Sequence, residues 1–164
     1  VTLTVEALSA PMNEDIRLRL PGWCKSVAIA VNGRTVASPA VEKGYAVLDR
    51  EWKAGDRITL ALDMPVEIVA ADPRVRADAG KRAVQRGPLV YCAEETDNRE
   101  AFDRIALSPE TSYQPLFRDS LLGGVTTVTV TAANGNETFT LIPYYAWDNR
   151  EAGEMKVWID YIEK

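Results

Sequence analysis

Apolar and polar residues alternate with a period of two along most of this chain. Val1, Leu3, Val5 and Ala7 are apolar, and Thr2, Thr4 and Glu6 between them are not. Ile16, Leu18 and Leu20 alternate with Arg17 and Arg19, and the rhythm returns at Val27, Ile29, Val31 and at Ile58, Leu60, Leu62. Successive side chains of an extended strand point to opposite faces, so this pattern predicts strands with one buried and one wet face. The turn residues agree. Asn32-Gly33 sits between such runs, and both residues tolerate the positive φ that a two-residue type I′ hairpin requires. Asn134-Gly135 repeats the signal before Phe139-Thr140-Leu141, and Lys53-Ala54-Gly55-Asp56 reads as a turn feeding the strand at Ile58. No apolar stripe at helical spacing is sustained over three turns. The predicted fold is all-β: an antiparallel β-sandwich, as two small jelly-roll-like sandwiches in tandem.

The rhythm fades between residues 94 and 124. Asp97, Asn98, Arg99 and Glu100 are polar, and Pro109 and Pro115 interrupt any strand. Leu116, Phe117, Leu121 and Leu122 are apolar, so this stretch is expected to be a long connection that packs on something. Gly123-Gly124 reads as a transition from loop to strand. Upstream, 66–71 and 83–92 look like strands around a polar turn near Asp78-Ala79-Gly80-Lys81. That turn is taken as the boundary between a middle sandwich, 1–78, and a C-terminal sandwich, 79–164.

The 164 residues carry a formal net charge of -5, which argues against a nucleic-acid partner, because phosphate binding needs clustered Lys and Arg. No basic run suggests a membrane surface, and no apolar run is long enough to span a bilayer. The chain begins directly on strand-like residues, which suggests a piece of a longer protein. Its compartment, periplasm or cytoplasm, is left open. The two cysteines, Cys24 and Cys92, are expected to be buried thiols, with pairing open only if the fold brings them together.

The chain has no histidine, which removes Ser-His-Asp and Cys-His nucleophile arrangements and the commonest zinc ligand. Glycoside chemistry needs two carboxylates across one bond. The adjacent Glu94 and Glu95 would face opposite ways on a strand, and they read as solvated acidic surface. Arg17, Arg19, Arg50 and Arg86 are candidates to fork onto a carboxylate or a sugar hydroxyl; strand arginines more often pair with nearby acids or lie over a Trp ring, and Arg86, just before Gly87-Pro88, reads as structural. Aromatics are the stronger lead. Tyr144, Tyr145 and Trp147, with Asn149 and Arg150, lie in a segment bracketed by Pro143 and Asp148-Asn149, whose turn chemistry favours exposure. Such residues serve either a carbohydrate platform or contact with a neighbouring domain. No catalytic set and no metal ligands are assigned.

Ordered blocks of the chain resemble the C-terminal part of glycoside hydrolase family 127, the β-L-arabinofuranosidase family. Arg19-Leu20-Pro21-Gly22-Trp23, Val31-Asn32-Gly33, Gly44-Tyr45 and the run from Arg50 to Asp56 resemble its middle β-domain. The run from Arg82 to Tyr91, which includes Arg86-Gly87-Pro88, resembles the link into its last β-domain. The run from Pro143 to Arg150, followed by Met155-Lys156-Val157-Trp158-Ile159, resembles that domain's close. The resemblance implies a parent with an N-terminal (α/α)6 barrel that removes β-linked L-arabinofuranose with retention, using a zinc-bound cysteine thiolate and a glutamate acid/base. Those residues belong to the barrel, so no cofactor and no catalytic role falls on this chain. The expected role is a non-catalytic accessory region, inactive alone, partnered by the barrel, with a homodimer or a glycan as further open partners. The alternative is a stand-alone carbohydrate-binding module.

Overall fold

Each alternating segment contains a strand in the computed structural model, which describes residues 1–132, 135 and 137–163. The chain divides into two units, Val1–Met64 and Pro65–Lys164. Among the described residues it is mostly strand, as the patterning requires.

The first unit contains β1 (Thr2–Thr4), β2 (Met12–Arg19), β3 (Val27–Val31), β4 (Arg34–Thr35), β5 (Ala40–Glu42), β6 (Tyr45–Trp52) and β7 (Arg57–Leu62). Two antiparallel sheets form, in the orders β1-β7-β3-β4 and β2-β6-β5. One core joins them. Leu18, Ala46, Leu48 and Trp52 come from the second sheet, and Ile29, Val31, Ile58 and Leu60 from the first. These are the apolar positions of the alternating runs, so period two selects the buried face as expected. The exception is β1, an edge strand whose Leu3 stays 42% exposed.

The expected turn at Asn32-Gly33 forms with φ of 51° and 77° and registers Val31 against Arg34. Asn32 does more than turn the chain. Its Nδ2 donates to Asp56 Oδ1 at 2.8 Å, and its Oδ1 accepts the Arg57 N–H at 2.9 Å. The Lys53 N–H donates to Asp56 Oδ2 at 2.9 Å, so the two separately predicted turns are tied together. The Asn32 bond, then the Lys53 N–H, hold the Asp56 carboxyl below its ordinary range. On the sheet faces, Arg17 pairs with Asp15 and Glu42, and Arg50 lies 5.1 Å from the centroid of Trp52, the two fates expected for strand arginines.

The second unit contains β8 (Val66–Ala70), β9 (Lys81–Arg86), β10 (Leu89–Glu94), α1 (Glu95–Asn98), β11 (Ala106–Leu107), β12 (Ser112–Arg118), β13 (Val125–Thr131), β14 (Thr138–Pro143), β15 (Met155–Lys156) and β16 (Ile159–Tyr161). Its strands follow one hydrogen-bonded path, β11-β16-β9-β10-β14-β13-β12, with β8 on β9 and β15 on β10. The β11–β16 pair is parallel, and the others are antiparallel. The path curls so that its ends share a core. Leu107 and Ile159 join Val84, Tyr91, Val128, Val130 and Leu141 there.

Two expectations change. The division falls between Met64 and Pro65 rather than between Asp78 and Ala79, because β8 pairs with β9 along its whole length, from Val66↔Arg86 to Ala70↔Arg82. The stretch from 94 to 124 is not a structureless connection. It carries α1, a 3-10 turn at Arg99–Arg104, β11 and β12. Phe102 and Ile105 plug the core, which orders the segment despite its polar composition. Pro115 is tolerated because β12 ends the path and one side of it has no ladder to satisfy. Gly123-Gly124 leads into β13 as expected. The expected Asn134-Gly135 turn includes Asn134, which lies outside the described residues.

Trp52 is the residue on which the first core turns: it is 2% exposed, and its Nε1 donates to the Glu14 carbonyl at 2.9 Å. Trp52→Ala is expected to destabilise the first unit by about 3–5 kcal/mol. Trp52→Phe keeps the packing but leaves the carbonyl without its donor, and should cost less. Urea denaturation followed by far-UV circular dichroism reads both changes. An unchanged midpoint for the Ala variant would contradict this account of the core.

Candidate functional site

β10 is buried on both faces, and this builds the site. Tyr91 and Ala93 point into the large core, while Cys92 faces a second, smaller cluster with Val125, Ile142 and Ala146. Glu94 follows Cys92 by two positions and so shares its side of the strand. The second cluster is what the segment after β14 rests upon. Pro143 is fully buried and Ala146 is 4% exposed, so the 3-10 turn Tyr144–Ala146 is held down at both ends.

Between and beyond those anchors the aromatic side chains face water. Tyr144 is 46% exposed, Tyr145 63% and Trp147 37%. The Tyr144 and Trp147 rings stack with centroids 5.9 Å apart and planes inclined by 21°. The exposed aromatic cluster predicted from the turn residues therefore exists.

Asn149 and Arg150, the other two candidates, brace it, Asn149 from the surface and Arg150 from beneath. Asn149 Nδ2 donates to the carbonyls of Ala146 at 3.2 Å and Trp147 at 3.0 Å. Arg150 forks onto Asp97 through Nη1 at 2.7 Å and Nη2 at 2.5 Å, and its Nη2 also meets Glu94 Oε2. Glu94 Oε1 accepts the N–H of Asp148, whose φ is 60°. Asn98 completes the frame. Its Nδ2 donates to the Glu94 and Thr140 carbonyls at 2.7 and 3.0 Å, and its Oδ1 accepts the Thr140 N–H at 2.9 Å.

This corrects the reading of Glu94 as solvated surface: it is 4% exposed. Glu95, its neighbour, is exposed as expected. Sequence reasoning gave neither Glu94 nor Asp97 a place in this frame. The available signal was that Glu94 closes an unbroken apolar run in the same register as Cys92. The hydrogen bonds to Asp97 raise the Arg150 pKa most, against the opposing effect of burial, and Glu94 adds to the rise. Burial first, then the Glu94 and Asp97 charges, push the Cys92 thiol up to about 12.

Two depressions flank this segment. One, of about 290 Å³, is lined by Asp97, Arg118, Ser120, Leu121, Thr140 and Arg150. The other, of about 310 Å³, is lined by Leu122, Val125, Tyr145, Ala146 and Asn149. Neither cysteine fits a metal site. Both are free thiols in separate units, and Cys24 Sγ donates to the Ser26 carbonyl at 3.0 Å. Among the described residues no group of three or more His, Cys, Asp and Glu side chains could hold a metal ion. Among them, too, no helix is long and apolar enough to cross a membrane.

Residues 1–64 match the β-L-arabinofuranosidase GH127 middle domain, and residues 66–160 match the glycoside hydrolase family 127 C-terminal domain. The chain is 38% identical to a non-reducing end β-L-arabinofuranosidase of Bifidobacterium longum, over 96% of this chain and 28% of that protein. The crystal structure of a GH127 β-L-arabinofuranosidase from Geobacillus stearothermophilus T6 aligns with a TM-score of 0.83 at 38% identity, covering 98% of this chain and 28% of that one. A second GH127 β-arabinofuranosidase structure gives 0.82 at 33% identity, covering 96% and 29%. The chain thus spans less than a third of the length of these relatives.

Arg150→Ala strands two carboxylates, one of them buried, and is expected to cost about 3–5 kcal/mol. Adding Glu94→Gln and Asp97→Asn to that variant should recover part of the loss, read as urea midpoints; no recovery would mean that charge matching is not what Arg150 supplies. The thiols give a second check. At pH 8 a disulfide reagent should label Cys24 in the folded chain and reach Cys92 only after unfolding. Because the Cys92 proton is held more tightly folded than unfolded, its contribution to stability is intact below pH 9 and is lost as pH rises from 9 toward 12. A Cys92→Ala variant should lack that component of the alkaline decline.

Proposed function

The chain belongs to glycoside hydrolase family 127, and we propose that it is the non-catalytic accessory β-region of a bacterial glycosidase whose remaining length carries an (α/α)6 barrel acting on β-L-arabinofuranosides. Its work in that protein is structural: it docks against the barrel and supports it. The observation that carries the reading is the Tyr144–Trp147 pair. Exposed, stacked aromatics mounted on a buried ion-pair network suit a fixed contact surface, and large apolar side chains are costly to leave wet. The zinc-thiolate chemistry of the family falls to the barrel in this reading, since Cys24 and Cys92 do not fit a ligand set.

A stand-alone carbohydrate-binding module is the second reading, favoured by Tyr145, which is more exposed than its neighbours and borders a depression. Self-association of the accessory region is a further role that the same exposed aromatics would serve.

The purified chain is expected to leave an aryl β-L-arabinofuranoside unhydrolysed. Mixed with the separately expressed N-terminal portion of its parent, it should form a complex on size exclusion, and Trp147→Ala should weaken that complex by about tenfold. Turnover by the chain alone, or a complex indifferent to Trp147, would count against the reading. Sedimentation of the chain alone reads its oligomeric state.

A further inference from the structure

We propose that the two depressions beside the 144–150 segment form one groove that holds a short stretch of an arabinose-rich oligosaccharide, hydrogen-bonded at the Arg118 end and stacked on Tyr145 at the other. The inference rests on the glycosidase reading and gives its carbohydrate-binding alternative a defined groove, a polar end and a ligand class.

Consecutive residues line the two depressions on two sides. Leu121 lines the first and Leu122 the second, and Arg150 lines the first and Asn149 the second. The corner between β12 and β13 fixes the nearer wall. Leu122, Gly123 and Gly124 hold φ of 49°, 78° and 108° in succession. The φ of 108° favours glycine at Gly124, where the nearest atom to an added Cβ would be Phe117 Cζ, the end of an exposed ring that can shift.

The polar end offers donors that nothing else uses. Arg150 is matched by Glu94 and Asp97. Arg118 is not: its Nε donates to Thr127 Oγ1 at 3.2 Å, and that hydroxyl in turn donates to the Leu116 carbonyl at 3.2 Å. One edge of the Arg118 guanidinium is thereby fixed, while its two Nη groups have no acidic partner among the described residues. Such a planar fork suits a pair of vicinal hydroxyls. Asp119 Oδ1 accepts the Ser120 N–H at 2.8 Å, which leaves the Ser120 hydroxyl for a ligand. The other end is apolar. Tyr145 and Leu122 present a surface that fits the CH-rich face of a sugar ring. Asn149 commits its Nδ2 to the backbone and keeps its Oδ1 as an acceptor.

Hydroxyl-binding groups at one end and an aromatic face at the other match a saccharide, which is itself amphipathic. The overall charge of -5 disfavours a phosphate polymer. Each depression is at the small end of ligand sites, so a chain of sugars bridging both is the natural occupant.

The test uses the whole chain, with arabinofuranose oligosaccharides of increasing length as probes, read by calorimetry and ligand-observed NMR. Saturable binding should strengthen with length until both depressions are filled. Arg118→Gln and Tyr145→Ala should each weaken it by about tenfold, and Trp147→Ala by less than about twofold. Arg118 and Tyr145 are exposed, so thermal midpoints should match the parent chain and confirm folding. No saturation at millimolar ligand, or equal binding by all variants, overturns the groove. If the chain still assembles with the N-terminal portion in that case, the accessory reading stands and only the groove falls. If Tyr145→Ala disrupts that assembly and leaves glycan binding unchanged, the surface is a docking face and the groove is likewise overturned.

Discussion

A carboxylate taken out of water must be matched, and the arrangement of the second unit follows from that requirement at Glu94. The residue sits at the end of a strand buried on both faces, with one oxygen on the Asp148 N–H and the other on the Arg150 guanidinium. Arg150 can reach it only if the chain after β14 folds back across β10. The position of Tyr144, Tyr145 and Trp147 is therefore set by electrostatics beneath them rather than by their own packing. Asp97 shares the guanidinium, and α1 is drawn into the same frame through Asn98.

The two cores divide the labour. The larger one closes the curled sheet and is filled by residues whose alternation announces them, such as Val128 and Val130. The smaller one lies on the opposite side of β10 and β14, where Cys92 registers against Ile142, and it carries Ala146 and Leu121. The exposed aromatic segment and the depression beside Tyr145 stand on this second cluster. A strand with two buried faces loses its alternation, which is why β10 reads as a continuous apolar run.

In the second unit the arrangement separates a buried frame from an exposed aromatic surface. The matches cover the middle and C-terminal domains and leave most of the relatives' length elsewhere. The second unit presents outward-turned aromatics, an inward-turned Arg150 beneath them and a glycine corner next to Leu122.

The sequence by itself determined the all-β class, the strands with one wet face and the Asn32-Gly33 hairpin, because period two and positive-φ turn residues are local properties. Pro143 and Asp148-Asn149 marked the segment carrying Tyr144, Tyr145 and Trp147 as a turn, and the structure decided which of its rings face water. The ordered blocks carried the family, because they record two successive domains in order rather than any one contact. Tertiary structure alone decided the rest. Glu94 is ordinary in isolation, and its burial depends on Arg150, fifty-six positions away. The segment from 94 to 124 looks like a connection until Phe102 and Ile105 find the core. The unit boundary moves to Met64 because the pairing of β8 with β9 is a property of two strands, not of the linker between them. In each case the deciding interaction joins residues distant in sequence, and no local pattern encodes its partner.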